Sequence, residues 1–214
     1  MQIHNFPQHS DEWFAIRTGK FTSSVANTIK TAGQGLETLC FDIVAEILTK
    51  KKKETFKSPA MEQGNELEDT ARTLFEMMTG FTVKEVGFVE IDEFEGSSPD
   101  GIIELDNEIT GVEFKCPQDN TYAKLLYDRK IKPEYYAQMQ HQMMCLGANR
   151  WFYAVFNPNF DEQMIVIEVE KDAEFQAKLR EGLEKGKARV KEILNQIKGE
   201  TKWKNYYLDI LLTF

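Results

Sequence analysis

Apolar and polar positions alternate in two distinct rhythms along the chain. Helical spacing of apolar residues predicts long helices over 36–50, 61–78, 133–146 and 173–198, and a shorter helix over 122–130. Strand-like segments are predicted at 82–90, 101–105, 111–115, 150–156 and 164–170. Because neither a Pro/Gly/Ser-rich linker nor a repeat interrupts this order, the sequence predicts an α/β protein with a single domain over residues 1–214.

Several polar residues predict where helices begin and end. Ser10, followed by Asp11 and Glu12, is typical of an N-cap, and the helix after it is expected to stop near Gly19. Residues 22–24 are expected to cap a second short helix that runs through residue 29. Gly80 is expected to end the helix over 61–78.

Two acidic residues and one lysine are predicted to meet where a turn precedes a short strand. A turn built on Pro99 and Gly101 presents Asp100. Successive side chains of a strand point to opposite faces, so Glu113 and Lys115 share one face. A surface hairpin with an ion pair of little energetic weight fits the same local pattern equally well.

The functional interpretation of this segment is phosphodiester hydrolysis. The carboxylates of Asp100 and Glu113, with a main-chain carbonyl such as that of Phe114, suit Mg²⁺, which takes oxygen ligands; Mn²⁺ is an alternative ion. The Lys115 ammonium lies where developing negative charge needs to be neutralised.

Three further segments contain residues that can complete such a site. Glu68 lies at the margin of an apolar helix stripe, where it either helps to bind the metal or pairs with Arg72 four residues on. Gln138 lies on a helix with a buried face and either points to the cleft or is solvated. Arg17, with the hydroxyls that follow it up to Ser24, resembles an anion cradle; a surface arginine beside a helix cap is the alternative.

Composition restricts the class of protein. A hydrophobic fraction of 42% and a charged fraction of 29% over 214 residues are ordinary for a globular protein. We expect a cytoplasmic protein, because no segment resembles a membrane span or a secretory signal. The three cysteines suit buried, reduced thiols, the three histidines lack zinc-site spacing, and no nucleophile-elbow serine supports acyl chemistry.

The charge pattern restricts nucleic-acid binding to local surfaces. A net charge of −9 argues against broad, nonspecific adhesion to DNA. Local basic clusters can still follow a phosphate backbone, and they comprise Lys50–Lys53 with Lys57, and Lys124, Arg129, Lys130 and Lys132. An apolar tail over 203–214 either docks a neighbour or packs on the protein itself.

Five sequence blocks, taken in order, resemble the phage lambda exonuclease or YqaJ-type viral recombinase family. The resemblance spans roughly residues 10–170. Its blocks are Trp13–Gly19 with Thr22–Ser24, Gly64–Arg72, Ser98–Gly101, Glu113–Pro117 and Tyr136–Gln140. The N-terminal stretch and the part beyond about residue 171 depart from the lambda protein.

The resemblance implies a restriction-endonuclease-like fold with a mixed central sheet between helices. It also implies a magnesium-dependent exonuclease that degrades one strand of duplex DNA from its 5′ end. Family members close into trimeric rings around DNA and leave a 3′ single strand for an annealing protein.

Carried over by position, the resemblance assigns a role to each candidate residue. Asp100 and Glu113 match metal-binding carboxylates, Lys115 the catalytic lysine and Glu68 the helix carboxylate near the metals. Gln138 matches the active-site glutamine, and the residues that match the holders of the terminal 5′ phosphate are Arg17 and Ser24.

Overall fold

A computed structural model describes residues 1–52, 59–105 and 108–199. The α-helices within these ranges are α1 (Asp11–Arg17), α2 (Ala26–Thr31), α3 (Gln34–Thr49), α4 (Pro59–Thr79), α5 (Asp119–Asp128), α6 (Pro133–Leu146) and α7 (Ala173–Gly199). The strands are β1 (Gln2–His4), β2 (Phe21–Thr22), β3 (Phe88–Asp92), β4 (Glu95–Ser97), β5 (Gly101–Leu105), β6 (Glu108–Lys115), β7 (Arg150–Phe156) and β8 (Met164–Glu170). A short 3-10 helix covers Ser23–Val25.

The strands form two four-stranded sheets. The first has the order β1-β3-β4-β2, in which only the β2–β4 pair is parallel. The second has the order β5-β6-β7-β8, with a parallel β6–β7 pair between two antiparallel pairs. A parallel pair requires a crossover connection, and helices α5 and α6 supply it between β6 and β7.

Helices cover both faces of the second sheet. On one face, Ala71 and Phe75 of α4 pack against Val112 and Phe114 of β6. On the other face, Met139 and Met143 of α6 belong to a cluster with residues of β7 and β8. The buried positions of β6 therefore alternate between α4 and α6, so Glu113 lies on the α6 side.

Helices α2, α3 and α7 form a separate apolar cluster beside this sheet. Their buried residues include Ile29, Ile43 and Leu183. A Cβ atom on Gly182 of α7 would lie 2.1 Å from the carbonyl oxygen of Ile29, so only glycine allows α7 to approach α2 this closely.

The predicted helix ends are confirmed at two positions and wrong at a third. Ser10 accepts a hydrogen bond from the backbone N–H of Trp13 (3.2 Å), as an N-cap does. Gly80 follows α4 with φ of +73°. Thr22 makes no side-chain capping bond, because its hydroxyl lies 3.2 Å from the Ser24 hydroxyl instead.

The predicted strand over 82–90 is too long. Only β3 from Phe88 onward is a strand, and Lys84 forms an isolated bridge with Ile102. Among the predicted basic and apolar segments, Lys53, Lys57 and the tail from residue 203 lie outside the described residues. The three cysteines are free, with Cys40 and Cys145 buried and Cys116 half-buried.

Candidate active site

Strands β5 and β6 bring the turn carboxylate and the strand carboxylate together. Asp100 directly precedes β5, which pairs with β6 so that Gly101 lies opposite Val112. Oδ2 of Asp100 accepts a hydrogen bond from the backbone N–H of Phe114 (2.7 Å), the residue between Glu113 and Lys115. This bond ties the turn to the end of β6, so the local geometry is fixed by backbone and side chain together.

Glu113 is fully buried and every oxygen of its carboxylate is held. Its Oε1 accepts from Nε2 of Gln138 (2.6 Å) and from the Lys115 ammonium, and its Oε2 accepts from Nε2 of Gln142 (2.6 Å). The structure therefore brings Gln138 to the strand carboxylate. The surface-hairpin alternative is wrong, because an exposed hairpin would leave this carboxylate in water.

Burial and like charge raise the pKa of two carboxyl groups of this site, those of Asp100 and Glu68. Burial first, and the neighbouring Glu113 second, hold the pKa of Asp100 well above its usual range. The pKa of Glu68 is also raised, mainly by burial, against the lowering effects of Lys115 and Arg72. Lys115 shows the opposite balance, because Glu113 and Asp100 raise its pKa further than burial lowers it. Lys115 is therefore an ammonium at neutral pH.

The structure contains a contact for each of the two alternatives given for Glu68, the ion pair with Arg72 and a place in the cleft. Nη2 of Arg72 lies 3.6 Å from Oε1 of Glu68, at the predicted spacing of four residues. Arg72 also pairs with Asp69 and Glu85. Glu68 itself lines the same cleft as Asp100, so the ion pair does not remove it from the site.

Arg17 is held from two sides, at the end of α1. Its guanidinium stacks 4.1 Å from the centre of the Trp13 ring, and Nη1 donates to the Ser98 hydroxyl (2.8 Å). The indole Nε1 of Trp13 donates to the same hydroxyl (2.9 Å). Burial lowers the pKa of Arg17 to about 10, against an opposing effect of Glu46. Arg17 is thus half-buried and in contact on two sides, unlike a freely exposed surface arginine.

A single cleft of about 580 Å³ gathers the candidate residues of all the separate segments. Its lining includes Arg17, Ser24, Glu68, Asp100, Glu113, Phe114, Lys115 and Gln138. Ser98 and Tyr135 also line it. Residues from α1, the 3-10 helix, α4, β6 and α6 thus meet in one place.

A buried charged network lies behind the Ser23–Ser24 wall of this cleft. His141 has Nδ1 2.8 Å from the Ser23 hydroxyl and Nε2 3.4 Å from Oε1 of Glu95. Ser23 in turn donates to Ser97 (2.8 Å), so both ring nitrogens of His141 act as donors and the ring is an imidazolium. Burial lowers the pKa of His141, but Cys145 and Glu95 raise it by a larger amount. The resulting pKa is about 10.

Glu95 is neutralised from a second direction. The Lys187 ammonium of α7 binds Glu95 and also lies 2.7 Å from Oδ2 of Asp92. Burial raises the pKa of Glu95, but His141 and Lys187 lower it to about 2. Glu95, His141 and Cys145 do place possible metal-ligand atoms within 4.8 Å of one another. Because Lys187 already supplies the positive charge here, we interpret the group as a structural ion network.

Sequence reasoning does not assign a role to two residues that contact the site residues, Ser98 in the cleft wall and the fully buried Gln142 behind Glu113. Ser98 belongs to the turn, and no local pattern marks its contact with Arg17. Gln142 carried a signal, because it lies four residues after Gln138 and therefore on the same helix face.

Two of the four residues of the second basic cluster are paired with carboxylates. Lys124 pairs with Asp128 and Arg129 with Glu162. Lys132 lines the cleft, so this part of the cluster faces the site. In the first cluster, Lys52 pairs with Glu46 (2.8 Å).

The layered mixed sheet with helices on both faces is a restriction-endonuclease-like fold, the fold of alkaline exonucleases. The family model of the YqaJ-like viral recombinase domain matches residues 12–149, and the chain belongs to this family. Membership supports a metal-dependent nuclease that acts in recombination.

Solved structures agree with the family. The alkaline exonuclease of Laribacter hongkongensis, in its complex with dAMP, is 28% identical with a TM-score of 0.82, over 90% of this chain and 98% of that one. A second structure of that exonuclease gives 28% identity and a TM-score of 0.77, over 90% and 100% of the two chains. A phage-related exonuclease from Haemophilus somnus 129PT shares the fold at 14% identity and a TM-score of 0.63, over 83% and 96%. No curated protein sequence matches the chain significantly.

None of the described helices is both long and apolar enough to span a membrane.

Proposed function

We propose that the protein is a magnesium-dependent exonuclease that degrades one strand of linear duplex DNA from its 5′ end. The product would be a 3′ single strand for phage-type annealing recombination. The observation that carries this proposal is the shared cleft, in which an arginine-serine cradle and a carboxylate-lysine cluster lie together.

The residues present fit a divalent cation. Three carboxylates, those of Glu68, Asp100 and Glu113, face the cleft with the Lys115 ammonium. Burial and the neighbouring Glu113 raise the pKa of Asp100, which supports the proposal that this cluster accepts an added positive charge. Oxygen ligands in an anionic, partly solvated cleft suit Mg²⁺, with Mn²⁺ as a substitute. Asp100, Glu113, the Phe114 carbonyl and Glu68, directly or through water, would hold it.

When bound, the metal would polarise the scissile phosphate and make a bound water more acidic. The residues of the chain do the remaining work. Gln138 orients the Glu113 carboxylate, and the Phe114 N–H orients that of Asp100. Lys115 neutralises charge that develops on the phosphate; because its pKa is raised, it serves as an ammonium rather than as a general base.

The cradle would give the enzyme its direction. The Arg17 guanidinium has a fork geometry that matches a phosphate, and Arg17 lines the cleft while one of its nitrogens donates to Ser98. Ser24 and Ser98 line the same wall and offer hydroxyl donors. A terminal 5′ phosphate held here would place the adjoining nucleotide at the carboxylates.

The assembly and partners form part of the same proposal. We expect a single nuclease domain over residues 1–214 that binds double-stranded DNA ends as a homotrimeric ring. A ring would also reconcile a net charge of −9 with a polyanionic substrate, because the basic surface would be confined to its interior. A phage or prophage origin and a single-strand-annealing partner agree with the viral family.

The test uses three DNA substrates with Mg²⁺: linear duplex with 5′ phosphates, the same duplex with 5′ hydroxyls, and closed circles. Each end carries its own label. We expect loss of label from the 5′ ends, faster cutting of the phosphorylated duplex, and intact circles.

Other results would point to other functions. Cutting of closed circles or of branched DNA would indicate an endonuclease or junction resolvase on the same fold. Binding of DNA ends without Mg²⁺-dependent cutting would indicate a noncatalytic recombination adaptor.

A further inference from the structure

Gln142 of α6 occupies an unusual place for a fully buried glutamine. Its Nε2 donates to Oε2 of Glu113 (2.6 Å), while Nε2 of Gln138, one helical turn earlier, donates to Oε1 (2.6 Å). Each oxygen of the carboxylate therefore has its own amide donor. Two donors at two oxygens restrict rotation of the carboxylate plane more than one donor can.

The orientation of the Gln142 amide follows from its partner. Its NH₂ group donates to the Glu113 carboxylate, so its carbonyl oxygen points away from Glu113. The amide is neutral, so it holds the carboxylate without adding a positive charge that would compete with a cation.

The other end of the same amide has no partner. Oε1 of Gln142 is buried and accepts no hydrogen bond from the described residues. Buried polar atoms without a partner are rare in folded proteins and call for a specific explanation. Within the described ranges the contact with Glu113 is the one polar contact of this side chain, so we attribute its burial to Glu113.

Gln140, two residues earlier, shows what a purely structural glutamine looks like in this helix. It is also fully buried, but its amide bonds to the Glu170 carbonyl, the Asp172 N–H and Gln176. Those contacts tie α6 to the region between β8 and α7 and do not reach the cleft carboxylates.

We infer that Gln142 is a positioning residue that fixes the Glu113 carboxylate and thereby sets the affinity of the cleft for its divalent cation. The inference rests on the proposed function, because it takes Glu113 as a metal ligand. In this inference Gln142 supports a metal ligand, and the residues already named contact the reacting atoms.

The experiment measures metal binding apart from catalysis. Full-length wild type, Gln142→Met and the matched control Gln140→Met are titrated with Mn²⁺, and free ion is followed by electron paramagnetic resonance. Loss of a residue that supports a metal ligand weakens binding roughly 10- to 100-fold. We expect at least about a tenfold rise in the Mn²⁺ dissociation constant for Gln142→Met. The Gln140→Met variant should unfold at a lower temperature yet keep the wild-type constant.

Nuclease kinetics supply a second readout. For Gln142→Met the Mg²⁺ concentration for half-maximal rate should rise in step with the dissociation constant, whereas kcat at saturating Mg²⁺ should change less. If Gln142→Met does not fold, Gln142→Asn serves instead, because it keeps an amide but withdraws it by one methylene group.

Three results would count against the inference. Wild-type Mn²⁺ affinity in a folded Gln142 variant would overturn the inference but leave the proposed function standing. Equal weakening in Gln140→Met would assign the effect to general disturbance of α6 and would also overturn it. A wild-type protein that neither binds Mn²⁺ nor cuts DNA would overturn the proposed function as well.

Discussion

Replacement of Arg17 is expected to remove the preference for phosphorylated ends while chemistry at other ends continues. In the structure Arg17 is half-buried, with its guanidinium against the Trp13 ring and the Ser98 hydroxyl, and burial lowers its pKa from the usual value to about 10. A decrease of this size means that the surroundings disfavour the charged form by about 3 kcal/mol. An anion bound in the cleft would compensate this deficit.

The expected magnitude follows from that deficit. If a terminal phosphate recovers most of it, the phosphorylated end gains up to about 100-fold in kcat/KM, because about 1.4 kcal/mol corresponds to a factor of ten. In Arg17→Met the ratio of kcat/KM between phosphorylated and hydroxyl ends should fall to about one. Arg17→Lys keeps the charge but loses the fork, so it should retain only part of the preference.

The assay compares initial rates on matched duplexes that differ only in the 5′ group, for wild type and each variant. Arg189→Met is the matched control, because Arg189 pairs with Glu37 on the α3–α7 side and does not line the cleft. A full preference for phosphorylated ends in Arg17→Met would refute this account of the cradle.

Three further changes test the carboxylate cluster and the buried network. Lys115→Met should lower kcat about a hundredfold or more with an unchanged circular dichroism spectrum, because a preorganised charge is lost. Asp100→Asn should raise the unfolding temperature of the metal-free protein and abolish cutting, since the amide relieves the burial and like charge that raise the Asp100 pKa. His141→Gln should flatten the pH dependence of urea unfolding between about pH 6.5 and about pH 10, where the folded wild type holds a proton that the unfolded chain releases.

The sign of the last effect can be checked directly. The pKa of His141 is higher in the folded protein, so its stabilising contribution is complete below about pH 6.5, declines as the pH rises and is absent above about pH 10. Wild-type stability that does not fall across this range would contradict the imidazolium. Likewise, Lys115→Met at the wild-type rate, or a metal-free Asp100→Asn protein that is less stable than wild type, would contradict the other two expectations.

Long helices and strands could be predicted from sequence, because the spacing of their apolar residues determines which element forms. Helix α6 and strands β7 and β8 have the predicted bounds. Strands β1, β2 and β4 were missed, since segments of two or three residues show no measurable alternation. The predicted strand over 82–90 was too long, because the described residues before Phe88 form no strand and only Lys84 makes an isolated bridge, with Ile102.

The candidate site could be predicted from sequence only for residues that a local turn or strand places close together. Asp100, Glu113 and Lys115 follow from a turn and a strand, so local rules place them in one cleft wall. Ser98 and Gln142 depend on contacts with Arg17 and Glu113, from segments far apart in the chain. No local pattern encodes the contact between Arg17 and Ser98, and the spacing that places Gln142 on the helix face of Gln138 does not identify Glu113 as its partner. Both contacts arise from the packing of α1 and α6 against the sheets.

The ion pair between Glu95 and Lys187 has a consequence for synthesis on the ribosome. The two residues are 92 positions apart, and Lys187 lies on the last described helix. A growing chain therefore buries Glu95 with its second counter-charge only after α7 has been translated. The Ser23–Ser24 wall of the cleft, which contacts this network through His141, should therefore become ordered late, and a partly made chain should lack a complete cleft.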